Sequence, residues 1–292
     1  MVLILPGCLG GCLDYPAVGH LSVSMQASLA TWQPFVDDLG ASCHRRLVID
    51  GESGPLAHQC DALDDLQGQI ATRLTVLDGY FGALGAVASD GNFAVDGGLG
   101  ALGASAKQAG ANGNDVDAVQ AIASAVAGIV VGHIRARAMD RLIDQAHNAA
   151  RVVTTLQGVF DTVYADSLKL EANKWAQSMQ HAAADVGIAL PLPPCAAGGV
   201  IWTSPRPALS NWQQVQFEAF YANQCAAITA RQTALQAFDV SAGQLVAALT
   251  DLDANRARLK DGAVVAHFLA QAHTVAVQAQ AVQQAFSTAK TS

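Results

Sequence analysis

The stretch LIDQAHNAARVVTTLQGVFDTVYADSLKL, residues 142–170, decides the fold. Within it Leu142, Ala146, Ala149, Val153, Leu156, Phe160, Val163, Ser167 and Leu170 recur at alternating steps of four and three, the a/d seam of a heptad on one helical face. Ile143, Val152, Val159 and Tyr164 flank that seam and widen it beyond the strip that a two-stranded coiled coil buries. So broad an apolar face needs neighbours on more than one side, and the spacing predicts a multi-helix bundle.

Upstream, residues 118–134 contain no charged side chain until a basic cluster begins at His133, Arg135, Arg137 and Arg141. Asn114 can cap a helix there, with Asp115 and Asp117 near the positive end of its dipole. That helix is expected to run, with a break near Gly128 or Gly132, to about Ala184. The uncharged stretch just reaches spanning length, but its Ala, Ser, Gln and Gly supply little drive for insertion, so a buried bundle helix is the expectation.

Further out, Met25, Leu29, Trp32, Val36 and Leu39 mark a helix over residues 22–39, which Pro34 kinks or restarts. Residues 50–55 read as a turn. Leu63 to Ala88 repeat at three- and four-residue steps and end at Ser89-Asp90-Gly91, where the glycine suits a C-cap. Residues 91–113 form a Gly-rich crossing, and residues 187–207, with five prolines, an extended connection. Ser210 and Gln213 have the form of a capping box that opens a helix reaching about Leu259. Asp261-Gly262 interrupts, and a last helix carries Val265 to Phe286. The expectation is an all-α, elongated antiparallel bundle of about five helices.

Composition agrees with that class: half the residues are hydrophobic, only 6% are aromatic, and much of the apolar content is Ala and Val. A net charge of −8 argues against nucleic acid as a partner, because phosphate neutralisation needs Lys and Arg. Arg137, Asp140, Arg141 and Asp144 stand at helical spacings and can pair with one another.

The chain opens MVLILPGCLGGCLD, which contains Leu5-Pro6-Gly7-Cys8 and Leu9-Gly10-Gly11-Cys12. This resembles the lipobox at the end of a bacterial lipoprotein signal peptide. In that family a Leu stands three positions before the cysteine and a small residue immediately before it. The resemblance covers the first dozen residues. It implies that Cys8 or Cys12 is lipidated and becomes the mature N-terminus. Residues 1–20 would then be signal remnant and tether, and 21–292 a single helical-bundle domain. The implied location is the bacterial cell envelope, as a periplasm-facing lipoprotein of the outer or inner membrane, and the implied partner is the membrane.

Four further cysteines, Cys43, Cys60, Cys195 and Cys225, form an even set that suits an oxidising compartment. Three pairings are possible, and four buried thiols are the alternative. Pairing of sequence neighbours, Cys43 with Cys60 and Cys195 with Cys225, would tie the chain beside its two Gly- and Pro-containing connections.

No motif compels a catalytic reading. Gly98, Gly100 and Gly103 spell a dinucleotide-binding fingerprint, but that site needs a strand before it and a helix directly after it. Asp144 and His147 stand one turn apart, yet a di-iron bundle needs two such carboxylate–histidine elements and two further carboxylates. The remaining histidines show no ligand spacing. The chain is therefore expected to be neither an enzyme nor a cofactor protein, but a lipid-anchored structural or protein-interaction bundle with an unknown protein partner. The alternative is a membrane-inserting protein resembling the α-helical pore-forming toxins, using residues 92–134.

Overall fold

Proline sets the first boundary. In the computed structural model, which describes residues 15–49, 60–89, 115–129, 135–185, 195 and 212–291, α1 spans Pro16–Ala30 with its proline in the first turn. There the fixed φ suits a helix and the missing N–H costs nothing. After the turn at Thr31 and Trp32, α2 spans Gln33–Ile49. Pro34 cannot donate to the carbonyl of Ala30 and its ring would clash with it, so it restarts the helix rather than kinking one.

Helix α3, Asp61–Ala88, carries Asp61 and Asp64 in its first turn, where the helix dipole favours them. It ends at Ser89, whose extended backbone turns the chain while its N–H donates to the Gly85 carbonyl at 3.0 Å. Helices α1 and α3 lie close because glycines face the contact. A Cβ on Gly85 would sit 2.5 Å from the Ser22 hydroxyl, and one on Gly19 3.5 Å from the Ala88 methyl.

The long helix expected from residue 114 to about 184 is a series of pieces: α4, Val116–Ile129; α5, Arg135–Ile143; α6, Ala146–Val159; a π-helical turn, Phe160–Tyr164; and α7, Ala165–Asp185. Helix α4 ends at Ile129, one residue past Gly128, where a break was expected, and residues 130–134 lie outside the described residues. A further turn at Asp144 and Gln145 separates α5 from α6. With the restart at Pro34, these divisions give the described residues nine α-helical segments rather than about five.

The π turn corrects the heptad. From Leu142 to Phe160 the seam is buried as expected, but Leu170 is 49% exposed and Val163 is half-buried. Tyr164, Leu168 and Glu171 lie inside instead, with Ser167. One extra residue in the wide turn rotates everything after it by about 100°, the angular step of one helical residue. What the turn gains is aromatic packing. Phe160 stacks edge-on against Phe238 at 4.9 Å and lies 5.9 Å from Phe35, and Tyr164 lies 6.1 Å from Phe35.

Helix α8, Trp212–Ala254, has 43 residues, about 65 Å at the usual rise, and makes the bundle elongated. It ends at Ala254, five residues short of Leu259, and a short 3-10 turn, Arg256–Arg258, leads on. Helix α9, Gly262–Thr291, is then started by Asp261, whose carboxylate accepts the Ala263 N–H at 3.0 Å. Helices α8 and α9 form an antiparallel hairpin. One hydrophobic core runs through all of these helices, from Ala17 to Phe286, with Trp32, Phe35, Phe160, Phe238 and Phe286 at its centre. No strand occurs among the described residues, and no described helix is long and apolar enough to cross a membrane.

Candidate functional site

Three polar constructions stand out against this apolar core. The first joins α2, α7 and α8. Asp38 and Arg45 lie seven residues apart on one face of α2, Glu171 comes from the rotated face of α7, and Arg231 from α8. The Arg45 guanidinium donates to Glu171 at 2.7 and 2.9 Å and to Asp38 at 2.8 and 3.1 Å. Arg231 approaches the same two carboxylates at 3.4 and 3.6 Å, and the Tyr164 hydroxyl donates to Asp38 at 2.7 Å. Glu171 is only 1% exposed.

Burial on its own would lower the Arg45 pKa, but hydrogen bonds from Glu171 and Asp38 outweigh it and hold the guanidinium charged. Burial, followed by the Asp38 charge, pushes the Tyr164 hydroxyl well above its ordinary value. Two cations and two carboxylates satisfy one another here, and the cluster clamps three helices. A second clamp joins Arg73 of α3 to Asp115, just before α4, through bonds of 2.8 and 3.0 Å with both side chains at least 95% buried.

The third construction sits at the π turn. Asp239 of α8 is hydrogen-bonded to Asp161, its Oδ1 is buried without a hydrogen-bond partner, and its pKa is pushed up to about 7. Desolvation is the main cause, followed by the hydrogen bond to Asp161 and that residue's charge.

Both pairs of described cysteines are joined. Disulfides link Cys43 to Cys60 and Cys195 to Cys225, the pairing of sequence neighbours. The first bridges α2 to the start of α3 from inside the protein. The second fastens Cys195 to α8 beside a satellite cluster of Met179, Ala183 and Tyr221, where the two helices project beyond the main core. Trp212, Val215 and Phe220 are exposed on that projection.

Asp144 and His147 do not form a site. Both are exposed, and the Asp144 carboxylate is taken by Arg256 of the α8–α9 turn. The expected pairing of Asp144 within its own helix is thus replaced by one across the bundle. Two imidazole–carboxylate contacts exist elsewhere, His44 with Asp64 at 3.1 Å and His267 with Asp251 at 2.9 Å. Nucleophilic catalysis also needs a hydroxyl or thiol in reach of the imidazole, and no such bond is made among the described residues. No group of three His, Cys, Asp or Glu side chains suited to a metal occurs among them either. Cys8, Cys12, the 50–55 turn, the glycines of 91–113, Gly132, His133 and Ser210 lie outside the described residues, as do residues 187–207 except Cys195.

The sequence carried little warning of the ionic cluster. Its members come from three distant segments, and the one local signal was a glutamate directly after the last residue of the heptad. No protein-family model matches the chain, and neither curated proteins nor solved structures include a similar one.

Proposed function

We propose that this chain is an exported, lipid-anchored protein of the bacterial cell envelope whose helical bundle serves as a structural or protein-interaction module. The observation that carries the reading is the pair of disulfides, Cys43–Cys60 and Cys195–Cys225. Such bonds persist in oxidising compartments and are rare in a reducing cytosol. The two lipobox-like matches at Cys8 and Cys12 supply the anchor, and the deeply placed ion pairs supply rigidity rather than chemistry. Trp212, Val215 and Phe220, exposed on the projecting end of α8, offer a contact for a protein partner.

Metabolic labelling with a fatty acid tests the reading directly. Label is expected on the chain and is expected to disappear in Cys8→Ala or Cys12→Ala. An unlabelled chain whose four inner cysteines react as free thiols would overturn it. Membrane insertion through residues 92–134 has a cost that this reading lacks. It would draw α4 out of the bundle, where Ala118, Val119, Ile122, Ala123, Val126 and Ile129 are buried.

A further inference from the structure

One end of the bundle gathers several chain turns. The start of α1 lies there, with the Tyr15 N–H donating to the Ala88 carbonyl at the end of α3 at 3.4 Å. The Lys260 ammonium of the α8–α9 turn sits 5.5 Å from the centre of the Tyr15 ring. Arg256 of the same turn pairs with Asp144 of the α5–α6 turn. Gly128, near the end of α4, lies against the Arg141 guanidinium, which would be 3.9 Å from a Cβ placed there.

Two segments at this end are locally basic. Residues 135–144 and 253–261 hold six of the 16 Lys and Arg residues but four of the 24 Asp and Glu, in a protein whose net charge is −8. Arg256 and Arg258 are engaged with Asp144, Asp253 and Asp261 in exposed pairs, which salt screens and solvent weakens. Arg137, Arg141 and Lys260 are exposed, and no carboxylate among the described residues pairs with them. Asp14 and Asp90 adjoin Tyr15 and Ser89 in the sequence, so the attraction rests on these three spare cations rather than on the charge of the whole end.

We propose that this end is a membrane-facing surface that binds anionic phospholipid headgroups through Arg137, Arg141 and Lys260, with Arg256 and Arg258 at its side. The tether argues for the same placement, and that part rests on the lipid anchor proposed above. Cys12 stands three residues before Tyr15 and Cys8 seven, so an extended chain reaches at most about 11 or 25 Å from acyl group to bundle. A lipid on either cysteine therefore holds this end, and no other, against the headgroups. Lipidation of the cysteine supplies the apolar anchor, and basic residues at the surface add attraction to anionic headgroups beside it.

The test uses the full chain with Cys8→Ser and Cys12→Ser, so that headgroup binding is read without any acyl group. In vesicle sedimentation it is expected to bind phosphatidylcholine vesicles containing phosphatidylglycerol, to ignore pure phosphatidylcholine, and to release as salt rises. With about five-fold in affinity for each cation near the surface, the triple variant Arg137→Gln, Arg141→Gln, Lys260→Gln is expected to bind at least ten-fold more weakly. Lys169→Gln with Lys174→Gln, on distant α7, is expected to bind like the parent. Equal binding by the triple variant, or no binding to the phosphatidylglycerol vesicles, would overturn the surface. Fatty-acid labelling reads the anchor separately, so a labelled chain that ignores these vesicles would keep the anchor and lose the surface.

Discussion

The ionic cluster around Glu171 and the basic end around Lys260 are built from the same residue types and behave oppositely. Inside, Asp38, Arg45, Glu171 and Tyr164 are hydrogen-bonded into one cluster that Arg231 joins as an ion pair, and Glu171 is 1% exposed. At the end of the bundle Arg256 and Asp144 are paired at 42% and 48% exposure, and neighbouring cations have no carboxylate partner among the described residues. A buried charge without its partner is costly, so the interior cluster fixes how α2, α7 and α8 register. An exposed pair contributes little and can be exchanged for another counter-ion. The difference separates charge that holds the fold from charge left over for a partner.

The largest expected effect follows from breaking the interior cluster. Glu171→Ala leaves Arg45 and Arg231 to share Asp38 and should destabilise the protein by about 3 kcal/mol, the low end for a broken buried pair because Arg45 is 30% exposed. Urea unfolding measures this, and a loss below about 1 kcal/mol would place the cluster in the same class as the surface pairs.

A smaller, pH-dependent effect is expected at Asp239. Its native pKa lies above the ordinary carboxylate value, so the folded state holds a proton that the unfolded state releases. The stability due to that proton is present below about pH 4 and is lost as pH climbs through about 7. Asp239→Asn keeps a donor for Asp161 and removes the charge. It should be more stable than the parent by about 1 kcal/mol above pH 7, after allowing for solvent screening, and the difference should vanish near pH 4. Thermal melts across that range read it, and a parallel pair of pH profiles would count against the carboxyl pair.

The smallest effect belongs to the bundle end. Arg256→Ala removes exposed contacts to Asp144 and Asp253 and should change stability by less than about 1 kcal/mol. A larger loss on thermal unfolding would mean that this turn holds the fold as the interior cluster does.

The contrast between these sites also explains what could be read in advance. Helix α3 was legible from end to end, because Leu63 to Ala88 keep their phase and Ser89 stops them. The seam from Leu142 to Phe160 was legible for the same reason. Beyond Phe160 the pattern misleads: Leu170 completes the heptad on paper and lies in solvent, while Tyr164 and Glu171 lie inside. The π turn has no signature in the residues it contains. It exists because Phe160 and Tyr164 find Phe35, Phe238 and Asp38, which belong to other helices.

The sequence by itself determined the all-α class, the Pro34 and Asp261-Gly262 boundaries and the even set of inner cysteines. Each follows from local chemistry: a period of 3.6 residues, a missing N–H, a count. Only the tertiary structure decided which cysteines meet, which carboxylates are buried against Arg45, Arg73 and Arg231, and which cations at the Tyr15 end are left over. Those outcomes depend on contacts between segments 17 to 245 residues apart, from the Cys43–Cys60 bridge to the Lys260 ammonium over the Tyr15 ring. Residues so far apart meet only when the helices pack, because pattern within a helix specifies its apolar face but not the neighbour that covers it.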